Sequence, residues 1–597
     1  MDDWRNIRSG RGIPTETYSD QPYVIKTDDG AWLCVITTGR GREGATGQHV
    51  VTTRSTDQGQ SWSPLVEVEP ADGPEASYAV LLKAPSGRVY CFYNHNSDNL
   101  REVMADDPPY PGGKCMRVDS LGSFVFKFSD DHGRSWSADR YPVPVREMAI
   151  DRENPYGGCI RFFWNVGRPF THVGTAYVPL HKVGGFGHGF FTRSEGVLLA
   201  SANLLCEPDP MRIIWETLPE GDSGLRAPWG GGSIAEEHSF SVLSDGSFYC
   251  VYRTIDGHPA CAYSRDGGRS WSAPEYVRYA DERLVKHPRA ANFAWRCANG
   301  QFLYWFHNHG GRWYDDRNPV WLCGGVEADG PDGRVIHWSQ PEIVLYDDDP
   351  YIRISYPDLL EESGQYFLTE TQKDVARVHP LDPTLLEGLW GQFDHAAAAT
   401  DGLLLSLPAA GRAVPSQAPM PELPAFCRRD QRRADYGTED LREGFTLDLW
   451  LRLDSLEAGQ VVLDSRTPAG QGLCLQTTAR GTLEIVLNDG RTENRWDCDQ
   501  GVLRAGALQH AAVIVEGGPR VICFVVDGKL CDGGEFRQFG WGRFSPNLRD
   551  VRGADVLHVG PNLRGTVSGL RFYGRALRIS EAVGNWRAGA REQTAGA

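Results

Sequence analysis

The sequence predicts an all-β protein in which a six-bladed β-propeller is followed by a β-sandwich of the jelly-roll type. Three observations lead to this prediction. An eight-residue motif occurs three times, a strand–turn–strand rhythm occurs six times, and apolar–polar alternation replaces that rhythm near the C-terminus. Short antiparallel sheets that repeat at such a period are typical of propellers. We therefore expect a propeller over residues 1–392, a linker over 393–440 and a sandwich over 441–597.

The recurring motif reads Ser-x-Asp-x-Gly-x-Ser-Trp and occupies residues 55–62, 129–136 and 264–271. An Asp at a turn accepts hydrogen bonds from nearby backbone N–H groups, and Gly supplies a positive φ. The Trp adds a large apolar surface that can be buried. The motif therefore predicts a turn held by its own side chains, with a structural role and no chemistry.

Each predicted blade opens with a strand-like run, a turn that ends in Gly, and a second strand-like run. The opening runs begin near residues 23, 79, 176, 240, 293 and 356. The tryptophans that close the units are spaced about 55–80 residues apart, which is slightly longer than a minimal four-stranded blade needs. We expect the extra residues in loops on one face, where propellers usually bind their ligands.

Residues 408–433 are rich in Pro and Ala and lose this rhythm, as a linker does. From Gly444 the chain alternates apolar and polar residues, first in the run 445–453, as half-buried strands do. With a Val-Asp-Gly hairpin at 526–528 and a late strand over 565–572, this part resembles a laminin-G or concanavalin-like jelly roll. That resemblance implies a domain that binds glycans, packs on a catalytic neighbour, or does both.

Composition narrows the possible partners. A formal charge of −17 argues against nucleic acid as a partner, and no apolar run approaches the ~20 residues of a membrane helix.

The N-terminus lacks the basic and apolar parts of a signal peptide, so we expect a cytoplasmic protein, or a secreted or periplasmic one if a leader was removed. The 14 scattered cysteines predict reduced thiols. We expect no cofactor and no metal, because His307 and His309 alone are a weak metal signal.

The three motifs, which match the Asp box, and the two-domain order resemble the sialidase (neuraminidase) superfamily over about residues 15–390. The resemblance implies an exo-acting, retaining glycoside hydrolase that removes a terminal sialic-acid-like sugar from a glycan. It assigns the nucleophile to Tyr356, which opens blade 6, and the base to Glu237, which precedes the first strand of blade 4. Arg253 and Arg317 match two arginines that hold the substrate carboxylate.

Such a site is chemically coherent. A sugar carboxylate at the reacting carbon repels a carboxylate nucleophile, so a neutral Tyr attacks, activated by a Glu. Arginine binds the carboxylate through two parallel, charge-assisted hydrogen bonds. The resemblance adds Glu370, at the end of the second strand of blade 6, as a further substrate-binding residue.

Two departures from the family pattern change the expectation. Asp20 stands where the family has its first arginine, and the nearby Arg11-Gly12-Ile13-Pro14 lies too early in the rhythm. An Asp there would repel a carboxylate or neutralise one of the remaining arginines. The loop 39–49 holds no Asp to act as acid/base, which leaves that role to Glu43 or His49. The substrate is therefore a sialic-acid-like sugar, another acidic sugar or a neutral sugar.

Further polar residues predicted to face the central pocket are Arg40, His95, Arg117 and Arg168. They also suit a polysaccharide lyase, in which His95 or His49 removes a proton and Arg117 or Arg168 neutralises a uronic carboxylate. A third alternative is a glycan-binding protein without catalysis. The sequence leaves the oligomeric state open.

Overall fold

The structure is a computed structural model of the chain, and it describes residues 3–117, 119, 122–408, 414–432, 434 and 437–595. The chain divides into two compact units. One unit contains Ile7–Trp338 and Ile343–Pro383. The other contains Met1–Asn6, Ser339–Glu342 and Thr384–Ala597.

Six antiparallel sheets of four or five strands form the larger part of the first unit, within the described residues. The strands of the first three blades are Tyr18–Lys26, Trp32–Gly39, His49–Ser55 and Val66–Glu67 in blade 1; Ala76–Lys83, Val89–His95, Ser123–Ser129 and Tyr141–Pro142 in blade 2; and Phe162–Trp164, Phe170–His172, Thr175–Phe186, Phe191–Ser201 and Glu216–Leu218 in blade 3.

The remaining blades follow the same order. Their strands are Glu236–Val242, Phe248–Arg253, Ala260–Ser264 and Glu275–Tyr276 in blade 4; Phe293–Arg296, Phe302–Phe306, Val320–Gly330, Gly333–Trp338 and Glu342–Leu345 in blade 5; and Ser355–Glu362, Gln365–Thr371, Ala376–Pro380 and Arg11–Ile13 in blade 6. The first strand of blade 1 packs against the first strands of blades 2 and 6, which closes the ring. The predicted propeller is confirmed.

An N-terminal strand completes the last blade. Arg11–Ile13 pairs antiparallel with Ala376–Pro380 at the outer edge of blade 6, so that both ends of the propeller contribute to one sheet. Arg11 Nη1 donates to the carbonyl of Gln58 (3.3 Å). The Arg-Gly-Ile-Pro sequence therefore belongs to the outer rim.

The three Ser-x-Asp-x-Gly-x-Ser-Trp repeats connect third and fourth strands of their blades. In the first copy Asp57 accepts hydrogen bonds from the backbone N–H (2.9 Å) and the hydroxyl (2.5 Å) of Ser61. Ser55 Oγ accepts the N–H of Gly59 (2.8 Å), whose φ is 76°. The other two copies make the same bonds. The repeats therefore hold turns on the outer side of the blades.

A β-bulge interrupts the first strand of blades 1, 2, 4 and 6. Pairing with the second strand shifts register within residues 20–23, 77–80, 236–239 and 355–358. Each bulge holds a residue other than Gly at positive φ, namely Gln21 (51°), Tyr78 (58°), Glu237 (58°) and Tyr356 (48°). A bulge redirects a side chain, and such backbone costs on the order of 1–3 kcal/mol each. Two of these residues are the predicted base and nucleophile.

Blade 3 differs from the predicted rhythm. The run expected to open it near residue 176 is its second strand, Thr175–Phe186. Two three-residue strands, Phe162–Trp164 and Phe170–His172, pair with that strand ahead of it. Strands this short contain too few alternations to be seen in the sequence.

The second unit is a two-sheet sandwich, and the predicted fold is confirmed here too. One sheet contains Leu403–Leu407, Phe445–Leu453, Leu508–Glu516, Val521–Val526, Lys529–Leu530, Gly542–Arg543 and Gly565–Tyr573. The other contains Gln417–Pro419, Val461–Asp464, Gly472–Thr477, Leu483–Asn488, Glu493–Asp497 and Val556–Val559. The alternating apolar residues of both sheets form one buried core.

The segment 393–440, whose composition predicts a linker, carries strands in the structure. Leu403–Leu407 pairs with one sandwich sheet and Gln417–Pro419 with the other, while Cys427–Arg429 pairs with Thr438–Asp440. The linker was predicted because the segment lacks apolar alternation, but strands can pair through their backbone hydrogen bonds without such alternation. Residues 409–413, 433, 435 and 436 of this segment lie outside the described residues.

Little of the chain is helical. The described α-helices are Ala149–Arg152, Pro383–Gly391 and Ile579–Ala595, with 3₁₀ turns at Ile7–Ser9 and Pro210–Arg212 and a small hairpin of Val103–Met104 with Lys114–Cys115. None of the helices in the described ranges has the length and apolar character to cross a membrane. All fourteen cysteines are free thiols.

Candidate active site

Tyr356 and Glu237 meet although they lie on different blades and 119 residues apart in sequence. The Tyr356 hydroxyl donates to Glu237 Oε1 at 2.8 Å, and both side chains are buried. Each stands at the bulge of a first strand, which turns its side chain toward the other. Burial raises the pKa of the phenol well above its usual value, and the nearby Glu237 raises it further. Tyr356 is therefore a neutral phenol whose proton points at a carboxyl group.

Arg253 contacts the carboxyl groups of two consecutive residues, Glu236 and Glu237. Its Nε donates to Glu236 Oε2 (2.7 Å), and its Nη1 lies 3.0 Å from Glu237 Oε2. Arg289 Nη2 donates to the other oxygen of Glu236 (2.9 Å). Burial favours a higher pKa at Glu236, but Arg253 and Arg289 outweigh it and lower that pKa to about 2.

Glu237 behaves in the opposite way. Burial raises the pKa of Glu237 above its usual 4.5, and the negative charge of Glu236 adds to the rise, while Arg253 opposes it. Two neighbouring carboxyl groups with pKa values driven apart are a common mark of an acid/base site. Glu236 therefore acts as a permanent counter-ion, and Glu237 is the group suited to exchange a proton.

Arg317 is a buried cation whose hydrogen-bond partners are neutral oxygens. Its guanidinium donates to Ser355 Oγ (2.9 Å) and to the carbonyl oxygens of Tyr314 (3.0 Å) and Arg289 (3.3 Å). No carboxylate lies within ion-pair distance of it in the described part of the chain. Burial lowers the pKa of Arg317, partly opposed by the nearby Tyr356. A buried positive charge of this kind favours an anionic ligand.

Asp20 pairs with a lysine, whereas the sequence left open that it repels a substrate carboxylate or neutralises an arginine. Asp20 Oδ2 accepts from Lys373 Nζ (2.8 Å) and from the Tyr18 hydroxyl (2.7 Å). Lys373 Nζ also lies 3.3 Å from Glu43 Oε1 and 4.0 Å from the centre of the Tyr356 ring. Lys373 was not predicted, because it lies in the turn between the second and third strands of blade 6.

Arg117 joins the same network from blade 2. It donates to Asp119 Oδ2 (2.6 Å), to the Tyr78 hydroxyl (2.7 Å) and to Glu43 Oε1 (3.2 Å). Burial favours a higher pKa at Glu43, but Lys373 and Arg117 lower it to about 2. A cavity of about 620 Å³ opens beside Glu43 and Arg117, and its lining includes the side chains of Arg101, Lys114, Met116 and His188.

Five predicted site residues lie elsewhere or make other contacts. His49 lies near Gly47 O (3.3 Å) and Glu16, and His95 contacts Ser97 Oγ (3.0 Å). Glu370 is buried against His379 (3.1 Å) and Gln372. Arg168 pairs with Asp358 (3.1 Å), and Arg40 is exposed. Among the described contacts, no hydrogen bond or ion pair joins any of these five to Tyr356 or Glu237.

The residues that sequence reasoning missed at the site are Glu236, Lys373 and Tyr78. One signal was available for Tyr78, because Ser77-Tyr78 and Ser355-Tyr356 repeat the same dipeptide at the same point of two blades. Glu236 was hidden as the neighbour of a matched residue. Within the described residues, no group of three His, Cys, Asp or Glu side chains is arranged to hold a metal ion.

The C-terminal domain is similar to a known family. Residues 433–582 match the family model Laminin_G_3, described as the concanavalin A-like lectin/glucanases superfamily. This agrees with the resemblance predicted from the alternating strands. No curated protein matches the chain.

The solved structures that are similar to this chain include sialidases. A Trypanosoma rangeli sialidase is 14% identical to this chain, and the alignment covers 96% of this chain and 94% of the sialidase, with a TM-score of 0.42. An intramolecular trans-sialidase from Ruminococcus gnavus is 15% identical, and the alignment covers 63% of this chain and 96% of the trans-sialidase, with a TM-score of 0.44. A Dyadobacter fermentans protein of unknown function is also 15% identical, and the alignment covers 62% of this chain and 98% of that protein, with a TM-score of 0.44.

Proposed function

We propose that the protein is a retaining, exo-acting glycoside hydrolase that removes a terminal acidic sugar, sialic-acid-like in its carboxylate, from a glycan. The observation that carries the proposal is the buried hydrogen bond between Tyr356 and Glu237 (2.8 Å), with the guanidinium groups of Arg253 and Arg317 beside it. A neutral nucleophile next to buried cations suits a reacting carbon that bears a carboxylate.

In the first step the Tyr356 oxygen attacks the anomeric carbon while Glu237 accepts the phenol proton. The bond from that carbon to the leaving oxygen breaks, and the leaving oxygen takes its electron pair and a proton from solvent. The product of this step is a sugar joined to Tyr356. The positive charge of Arg253 stabilises the negative charge that develops on the Tyr356 oxygen as the proton leaves.

In the second step water attacks the same carbon and releases Tyr356, which recovers its proton from Glu237. Two displacements at one carbon retain its configuration. The attacking water loses one proton to solvent, and Glu43, which borders the cavity and which the salt bridges to Lys373 and Arg117 keep ionised, is suited to orient that water by accepting a hydrogen bond from it. Its pKa of about 2 makes Glu43 a weak base in this step and a poor proton donor for the leaving group in the first step.

Arg317 is proposed to bind the sugar carboxylate. Its guanidinium is held by three hydrogen bonds to protein oxygens, none of them from a carboxylate, so its charge is available to a ligand. Tyr356, Glu237 and Arg253 lie on strands, and Arg317 lies three residues before the strand Val320–Gly330, which keeps the geometry fixed before the substrate arrives. The lyase alternative is less well supported, because no described contact joins His49 or His95 to Arg117 or Arg168.

The proposal is tested by trapping the covalent intermediate. Wild-type protein is incubated with a 2,3-difluoro sialic acid, and intact-mass spectrometry followed by peptide mapping locates one added sugar. We expect the adduct on Tyr356 and none in Tyr356→Phe, together with loss of hydrolysis of an aryl sialoside.

Tyr93→Phe is the matched control, because Tyr93 is also buried and also donates its hydroxyl to a buried carboxylate, that of Glu69. It should form the adduct as the wild type does. An adduct that forms on another residue, or hydrolysis that survives in Tyr356→Phe, contradicts the assignment of the nucleophile.

A further inference from the structure

We infer that Lys373 determines specificity by binding the carboxylate of the sugar, taking over the position that an arginine on the first strand of blade 1 would fill. The inference rests on the proposed function and adds to it a second cation, in addition to Arg317, that recognises the acid. Lys373 lies in the turn after Gln365–Thr371, and its side chain is partly open to solvent.

The turn is fixed so that the ammonium group stays at the site. Lys373 has a φ of 78°, which is unusual for a residue other than Gly. Its N–H donates to Thr371 Oγ1 (2.9 Å), and its carbonyl accepts the N–H of Ser19 (3.0 Å), the residue before Asp20. Strained backbone that its surroundings hold in place is concentrated at functional sites.

The ammonium group also has a donor to spare. A lysine has three N–H donors, and the contacts of Lys373 Nζ are with Asp20 Oδ2 (2.8 Å) and Glu43 Oε1 (3.3 Å). Nζ lies 4.0 Å from the centre of the ring of Tyr356, the proposed nucleophile. The third donor is thus close to the residue that would bond to the reacting carbon.

Asp20 explains why the cation comes from a different blade. Its side chain is buried, and Oδ1 has no hydrogen-bond partner among the described residues. An unpaired carboxylate there would repel a substrate carboxylate, and the ion pair with Lys373 neutralises that charge and places an ammonium group at this position. Asp20 accordingly competes with a substrate carboxylate for the charge of Lys373.

The test measures binding and needs no turnover. Calorimetry gives the Kd of the 2,3-unsaturated glycal of a sialic acid and of its methyl ester. We expect wild type to prefer the acid, Lys373→Met to weaken acid binding by about tenfold or more with ester binding unchanged, and Lys373→Arg to restore it. Asp20→Asn, which removes a competing carboxylate, should tighten acid binding.

Lys26→Met is the matched control, because Lys26 forms a similar ion pair with Glu362 at the other end of the strand that holds Asp20. It should leave both Kd values unchanged. Equal losses for acid and ester, an unaltered Kd in Lys373→Met, or a wild type that does not prefer the acid overturns the inference. A protein that binds the acid through Lys373 but forms no adduct on Tyr356 loses the hydrolase proposal and keeps this one.

Discussion

Replacing Glu237 by Gln separates the proposed base from its structural role. Gln keeps the shape and an oxygen that can accept the Tyr356 hydroxyl, which now lies 2.8 Å from Glu237 Oε1. It removes the charge 3.0 Å from Arg253 Nη1, but Arg253 retains Glu236 at 2.5 Å. We expect the fold to survive, because no buried charge is left without a partner.

The expected loss of activity is large. A positioned general base contributes roughly 10²–10⁴ in rate, so kcat/KM for an aryl sialoside should fall by that factor, or about 2.7–5.4 kcal/mol. Binding of the acidic glycal should be unchanged or tighter, because Arg253 loses one competing carboxylate. Steady-state kinetics and calorimetry on the same preparation measure the two effects.

Glu69→Gln is the matched control. Glu69 is also buried, also accepts a tyrosine hydroxyl, that of Tyr93, and also pairs with an arginine, Arg140 (2.6 Å). It should keep wild-type kcat/KM. A loss below tenfold in Glu237→Gln, or an equal loss in Glu69→Gln, would refute the assignment of Glu237 as the base.

Three further predictions follow from the same contacts. Burial raises the pKa of Glu237, and a general base must be ionised to accept a proton. The value of kcat/KM should therefore be highest above that raised pKa and should fall as the pH drops through it. A pH–rate profile whose acidic limb lies at or below 4.5 contradicts this. Arg317→Met should raise the Kd of the acidic glycal by about tenfold or more without changing that of its methyl ester, which calorimetry measures; equal changes would exclude a carboxylate contact. Lys182→Met leaves the buried Asp151 without its ion-pair partner, so urea unfolding should show a loss of about 3–5 kcal/mol, and a loss below 1 kcal/mol would show that the pair is dispensable.

Local patterns were sufficient for the fold class. Alternation along strands, Gly at turns and the Ser-x-Asp-x-Gly-x-Ser-Trp repeat depend on residues a few positions apart, and each has a local physical cause. Blade order was equally readable for five blades. It failed at blade 3, because Phe162–Trp164 and Phe170–His172 are too short to alternate visibly.

Residue patterns along the chain were thus enough to predict the propeller, the sandwich and the strand ends at or near which Tyr356, Glu237, Arg253 and Arg317 lie. Which of these side chains meet depends on how distant strands pair and pack. The bulges that turn Tyr356 and Glu237 together are register shifts between paired strands, and a register is a relation between segments that no single segment encodes. Ring closure likewise brings Lys373 to Asp20 across 353 residues, a contact whose cause is the packing of blade 6 on blade 1.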